Sequence, residues 1–271
     1  MHGPTCARLG ITWQYTQFHL AHDPGGIWRA PDGVVRQTPP EEQWDGIAEL
    51  TYTSVAERQR WLSSAGVLER DEQNVFGEVV AYMADGDGSR TYVDRVPNRT
   101  PNGPLGVSRY HLLLKRQPHA SVEEFRARLT GTFAIHAASS PLVLKLRINL
   151  FEPFEEVWQS ENVENALPPE RVHDASVEIA FRSPLELAEF QRSDAYAAAT
   201  EGQAGYVRQI SVFPEREAYA MIQQGRATLL GLRGASIAQT IAEAGAVTNL
   251  DDDVLELFAG GAISLPSRAG G

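Results

Sequence analysis

The feature that most constrains this chain is that it repeats itself. Asp45 to Ser54 (DGIAELTYTS) aligns without a gap with Asp174 to Ser183 (DASVEIAFRS), about 130 residues later. Self-similarity at a fixed separation points to two copies of one supersecondary unit. Each run alternates polar and apolar residues, which predicts a strand. Each ends at a serine placed to cap the helix that follows.

The flanking segments match as well. Glu57, Trp61 and Leu62 in one predicted helix correspond to Glu186, Phe190 and Gln191 in the other. Strands are predicted at Trp13 to Leu20 and Leu142 to Leu150, before the repeat, and at Phe76 to Met83 and Tyr206 to Phe213, after it. The second copy begins with a further strand at Tyr110 to Lys115. A helix from Ser121 to Ala138 follows, in which Ser121 and Glu124 form a capping box. The resulting order, β-α-β-β-α-β, is the ferredoxin-like arrangement. The fold class expected is therefore α+β: two tandem ferredoxin-like units in a dimeric-α/β-barrel type of fold, the first copy lacking its opening strand.

This reading divides the chain into a first unit at 1–84, a linker at 85–107 rich in Gly, Pro, Asn and Asp, a second unit at 108–214 and a helical extension at 215–271 with a frayed last dozen residues. Ala21 to Gln43 and Glu152 to Val172 are long, proline-bearing loops of the kind that often serve as lids. With 24 basic and 35 acidic residues the net charge is -11, which argues against a nucleic-acid partner. No stretch reaches the roughly 18–20 apolar residues needed to span a bilayer, and no signal peptide is evident. The single cysteine, Cys6, cannot form an internal disulfide, and a cytoplasmic location is expected.

Three segments in order carry a family likeness: His2-Gly3-Pro4, Tyr15-Thr16-Gln17-Phe18-His19 and Asp45-Gly46-Ile47-Ala48-Glu49-Leu50. Together they resemble the EthD-domain family, small dimeric α/β barrels with an HGP motif on the first helix and a later DG-x-AEL strand. The likeness covers roughly residues 2–84. It recurs more weakly over 108–214, where His136-Ala137-Ala138 replaces HGP and the Gly after Asp174 is lost. The resemblance implies kinship with cofactor-free monooxygenases, lactone isomerases, polyketide cyclases and dehydratases.

Period-two alternation assigns faces to the strands. Leu144, Leu146, Ile148 and Leu150 form a helix-packed face, and Lys145, Arg147 and Asn149 the interior one. Shifting by 130 residues puts Gln14, Thr16, Phe18 and Leu20 against helices and turns Tyr15, Gln17 and His19 inward. Ala48, Leu50 and Tyr52 match Val177, Ile179 and Phe181 on the helix side, so Glu49 and Glu178 occupy equivalent interior positions.

A desolvated carboxylate has a raised pKa and suits general acid or base work near neutrality. Glu49 and His19 are thus the candidate acid and base, and Tyr15 the donor to a developing oxyanion. Gln17, Trp44, Asp45, Lys145, Arg147 and Glu178 are the candidate substrate-binding residues. A structural reading stands beside each: Glu49 in an inter-strand ion pair, Glu178 paired with Lys145 or Arg147. No dinucleotide, Walker, HExxH or CxxC motif occurs, so neither cofactor nor metal is expected. The expected function is proton-transfer chemistry (dehydration, isomerisation or cyclisation) on a hydrophobic, aromatic or polyketide-like substrate. Cofactor-free oxygenation and non-catalytic binding of a small ligand are the alternatives, and a homo-oligomer is a further expected partner.

Overall fold

The structure is a computed structural model and describes residues 2–64, 66–84, 86–98, 100–246, 254, 255 and 257. Helix α1 (His2–Arg8) leads to β1 (Gln14–Leu20), and a long loop to β2 (Gly46–Thr51), α2 (Val55–Ser64) and α3 (Gly66–Glu72). Strands β3 (Ser89–Asp94) and β4 (Asn102–Gly103) precede β5 (Ser108–Arg116). Helix α4 (Val122–Ala127), a wider π-helical stretch at Arg128–Phe133 and α5 (Ala134–Ser139) run on into β6 (Lys145–Leu150), β7 (Ala175–Phe181), α6 (Pro184–Phe190) and α7 (Asp194–Ala199). The described chain closes with β8 (Val207–Gln223), β9 (Arg226–Ala227), α8 (Leu229–Arg233) and α9 (Ala235–Glu243). The expected fraying of the last dozen residues lies outside the described residues.

Local signals account for several boundaries. The Ser54 hydroxyl accepts from the Glu57 amide (3.2 Å), Ser183 from Glu186 (3.4 Å) and Ser121 from Glu124 (3.0 Å), so the three expected helix caps form. Their helices bury Trp61, Phe190 and Phe125.

The strands make one curled antiparallel sheet in the order β2-β1-β8-β5-β7-β6-β3, with β4 and β9 added to β8. From β5 onward the chain is ferredoxin-like: its first, second, third and fourth strands are β5, β6, β7 and β8, and they lie side by side as β8-β5-β7-β6. Helices α4 to α7 pack on one face of this set. The main core, holding Leu112, Leu146, Ile179, Phe181, Phe190 and Ile210, fills that layer. The described helices include none long and apolar enough to cross a membrane.

The structure departs from the sequence reading in three places. Residues 76–83 form no strand; they carry one parallel bridge, Glu78 to Glu164. The expected linker contains β3, which pairs with β6. The expected helical extension begins as strand: β8 pairs with β5 up to Pro214 and then continues from Glu215 along β1. Proline cannot donate to a ladder, yet it fits where one partner strand hands over to the next. Its carbonyl still accepts from the Ala21 amide (2.7 Å).

Certain pairings recur along the chain. Thr16 lies opposite Glu49 as Arg147 lies opposite Glu178. The second half of β8 runs along β1 as β3 runs along β6. A loop residue, Val35, bridges Gln209 in parallel fashion as Glu164 bridges Glu78.

Candidate functional site

The face of the sheet turned away from α4 to α7 carries the charged residues. On β5 the alternation sends Tyr110, Leu112 and Leu114 into the main core and leaves Arg109, His111, Leu113 and Lys115 on the inner face. An apolar plug of Phe18, Leu20, Leu113, Phe213 and Ala218 crosses this face, with Trp44, Ile47 and Phe151 against it. Polar groups lie on either side of the plug.

On one side is a chain of ion pairs. Both oxygens of Glu49 meet the guanidinium of Arg147, one of them at 2.6 Å. Arg147 Nη2 also lies 3.0 Å from Glu178 Oε2, and Arg109 Nη1 lies 3.0 Å from Glu178 Oε1 and 3.5 Å from Glu215 Oε2. His111 Nε2 is 3.0 Å from the same Glu215 oxygen. The Phe18 ring covers His111 at a centroid separation of 4.6 Å and Arg109 at 5.7 Å. Burial alone would raise the pKa of Glu178, but the charges of Arg147 and Arg109 outweigh it and hold the carboxyl at about 2. Arg147 is pushed above its ordinary value by Glu49 and Glu178 despite its burial. Glu178 is thus an ionised structural anion at neutral pH, and the side chain of Glu49, 24% exposed, is the open end of the chain.

Several expected site residues lie elsewhere. Tyr15 pairs with Leu50, not Glu49, and is 1% exposed in a core with Cys6, Trp61 and Leu68 on the helix side. Gln17 shares its face and donates to the Tyr15 hydroxyl (2.6 Å). His19 is exposed beside Glu217 (3.7 Å) and the Tyr219 ring. The expected inward orientation of these three is therefore corrected: Thr16 and Phe18 face the interior. A sheet has a period of two, so a slip of one residue in matching β1 to β6 exchanges the faces. The β2 assignment is as expected, with Glu49 inward and Leu50 and Tyr52 on the helix side. Lys145 pairs with Asp94 of β3 (2.9 Å). Asp45 meets His22 (3.0 Å) at the surface, and Trp44 lies under the Arg171 guanidinium.

Across the plug lies a second cluster that the sequence reading missed. Lys115 Nζ, on a side chain only 2% exposed, is 2.5 Å from Glu42 Oε1 and donates to the Glu170 carbonyl (2.8 Å). Gln209 donates to Glu42 Oε2 and to the Ser211 hydroxyl, each at 3.0 Å. His173 is 2% exposed; its Nδ1 faces the Tyr82 hydroxyl (3.3 Å) and its Nε2 is buried without a partner among the described residues. Burial, then the charges of Lys115, Arg171 and Arg208, bring its pKa down to about 3, so the imidazole is neutral. The flanking residues Val172 and Asp174 line a surface cleft of about 520 Å3 with Arg116, Phe154, Leu167, Pro169 and Arg208. Arg116 is paired with Asp174 (3.4 Å). Arg208 donates to the Glu170 carbonyl (3.2 Å) and has no carboxylate partner among the described residues. The signal in the sequence was the basic residue at each end of β5 and its continuation, which alternation places inside. The partners of Lys115 come from long loops, at Pro40–Glu42 and Pro169–Arg171, whereas those of Arg109 stand on β7 and β8.

No family profile matches this sequence, and no curated protein matches it. Among solved structures, the chain is similar to a dimeric protein of unknown function with a ferredoxin-like fold from Bacteroides fragilis. The identity is 12% and the TM-score 0.30, over 40% of this chain and 94% of that one.

Proposed function

We propose that this protein is a fused pair of diverged ferredoxin-like units, akin to the EthD architecture, that binds a small organic anion at the cleft beside Arg208. The recurring strand pairings support the first part of this reading. The second rests chiefly on one observation: Arg208 brings a guanidinium without a carboxylate partner among the described residues to a cleft walled by Phe154, Leu167 and Pro169. A planar donor beside apolar walls suits a carboxylate or phosphate attached to a hydrophobic body. The interior charges, by contrast, are paired with one another.

The test is thermal denaturation with a panel of aromatic and aliphatic carboxylates and phosphate esters, inorganic phosphate serving as control. A ligand present at about 100 times its Kd stabilises the folded chain by about 2.7 kcal/mol, and Arg208→Ala abolishes that shift. A panel without any stabilising anion, or stabilisation retained in the variant, rejects the cleft as the site.

A second reading keeps proton-transfer catalysis on a hydrophobic substrate. It is favoured by the exposure of Glu49 at the open end of the ion-pair chain. In this reading Arg147 orients Glu49, and Thr16 and Phe18 take the interior places expected of Tyr15 and Gln17. Incubation of wild type and Glu49→Gln with a metabolite extract, followed by mass, separates the two. Consumption of a species by wild type alone supports catalysis; equal behaviour of both proteins removes it.

A further inference from the structure

Strand β7 is paired on both sides, with β6 and with β5. Its counterpart β2 pairs with β1 alone among the described residues. The Leu20 amide donates to the Asp45 carbonyl (2.9 Å), which makes His19–Gly46 a widely spaced pair. It follows that Ile47, Glu49 and Thr51 bond to β1, while Ala48 and Leu50 turn their amides and carbonyls to the outer edge. Their counterparts, Val177 and Ile179, lie opposite Leu112 and Tyr110 of β5.

The segment 76–83 presents a matching edge. Its Gly77 carbonyl and Val79 amide bond to Glu164, and its Met83 carbonyl to Glu152. The alternate residues Glu78, Val80 and Tyr82 have no main-chain partner among the described residues. In β8 the Arg208 carbonyl and Ile210 amide bond likewise to a loop, at Val35, and the other edge is covered by β5. Leu50, Tyr52, Val79 and Ala81 remain partly exposed, whereas Ile179, Phe181, Ile210 and Val212 beside β5 are at most 2% exposed. Thus β2 and the segment 76–83 each carry a main-chain edge unpaired among the described residues, and their counterparts in the second half, β7 and β8, hold β5 between them.

The geometry points to the place between these two edges as a β-augmentation site that takes an extended strand of a partner polypeptide, alternately apolar and basic. Main-chain groups on both flanks supply the hydrogen bonds, and side chains set the specificity. Residues turned to the helices would meet Leu50, Tyr52, Val79 and Ala81 and are apolar, as Tyr110, Leu112 and Leu114 are in β5. Residues turned to the interior would lie between Glu49 and Glu78 and are basic, as Arg109 and Lys115 are. Glu78 has one oxygen paired with Arg171 and the other buried without a partner among the described residues, so it retains acceptor capacity.

A fluorescently labelled peptide with the sequence of residues 108–116, SRYHLLLKR, is the probe, and its scrambled form the control. Saturable binding by the full chain is expected, with slowed amide exchange at Ala48 and Leu50. Ala48→Pro removes an edge donor that the fold itself does not use, and Ala81→Asp puts a charge on the apolar wall. Each weakens binding by about tenfold or more, with circular dichroism confirming that the variants fold. Binding equal in both variants, exchange unchanged at Ala48 and Leu50, or no saturation by about 1 mM peptide overturns the proposal. So does light scattering that finds a dimer with these amides already protected, which would make a second copy the occupant.

Discussion

Tyr15 and Glu49 are diagonal neighbours across β1 and β2, yet they face opposite sides of the sheet. For Tyr15 the consequence is structural: burial raises its hydroxyl pKa well above the ordinary value and its ring fills the core beside Trp61. Tyr15→Ala is expected to cost about 3–5 kcal/mol in urea denaturation; a small loss would mean that Tyr15 is not a core residue. His173 gives a pH signature. Its pKa falls on folding from 6.5 to about 3. Above pH 6.5 both the folded and the unfolded chain hold it neutral. Below that the unfolded chain takes up a proton that the folded chain refuses, so stability falls as pH falls. The expected contribution approaches about 1.4 kcal/mol per pH unit. Denaturation at steps between pH 6.5 and 4.5, above the range where Glu178 adds its own loss, tests this: His173→Asn flattens the slope, and an unchanged slope refutes the assignment.

At the scale of elements, the ion-pair chain ties β2 to β6 and β7, strands far apart in sheet order. Arg147 faces two carboxylates at once, so Arg147→Ala leaves Glu178 buried and without this partner. The expected loss is about 3–5 kcal/mol. Glu49→Gln removes one charge at the open end and is expected to cost less, about 1.5–3 kcal/mol. Reversal of that order in chemical denaturation would show that Glu49 and not Arg147 anchors the network. The elements also reveal how far sequence patterning reached. β5, β6 and β7 were legible because their apolar residues alternate over a buried layer. The strand expected at 76–83 has the right pattern but only a single bridge. The extension of β8 past Pro214 was hidden because proline reads as a terminator, and only the change of partner from β5 to β1 makes it harmless there.

Over the whole molecule, these differences in pairing predict a gradient of local stability. Amides of β5 and β7 are flanked by strands on both sides and are expected to exchange slowest, while those on the outer edges of β2 and β3 exchange fastest. Native-state hydrogen exchange checks this, and uniform protection across the sheet would contradict it. Sequence by itself determined the α+β class, the ferredoxin-like order of the second half, the helix caps and the inward placement of Glu49 and Glu178. These follow from local periodicity and from residue types at element ends, which act over a few positions. Tertiary structure alone decided the faces of β1, the role of residues 85–107 and the partners of Lys115, Arg109 and His173. Strand register is set by pairing between distant segments, and one residue of slip exchanges core and interior. Partners such as Glu42 and Glu215 reach the inner face only once the sheet has curled.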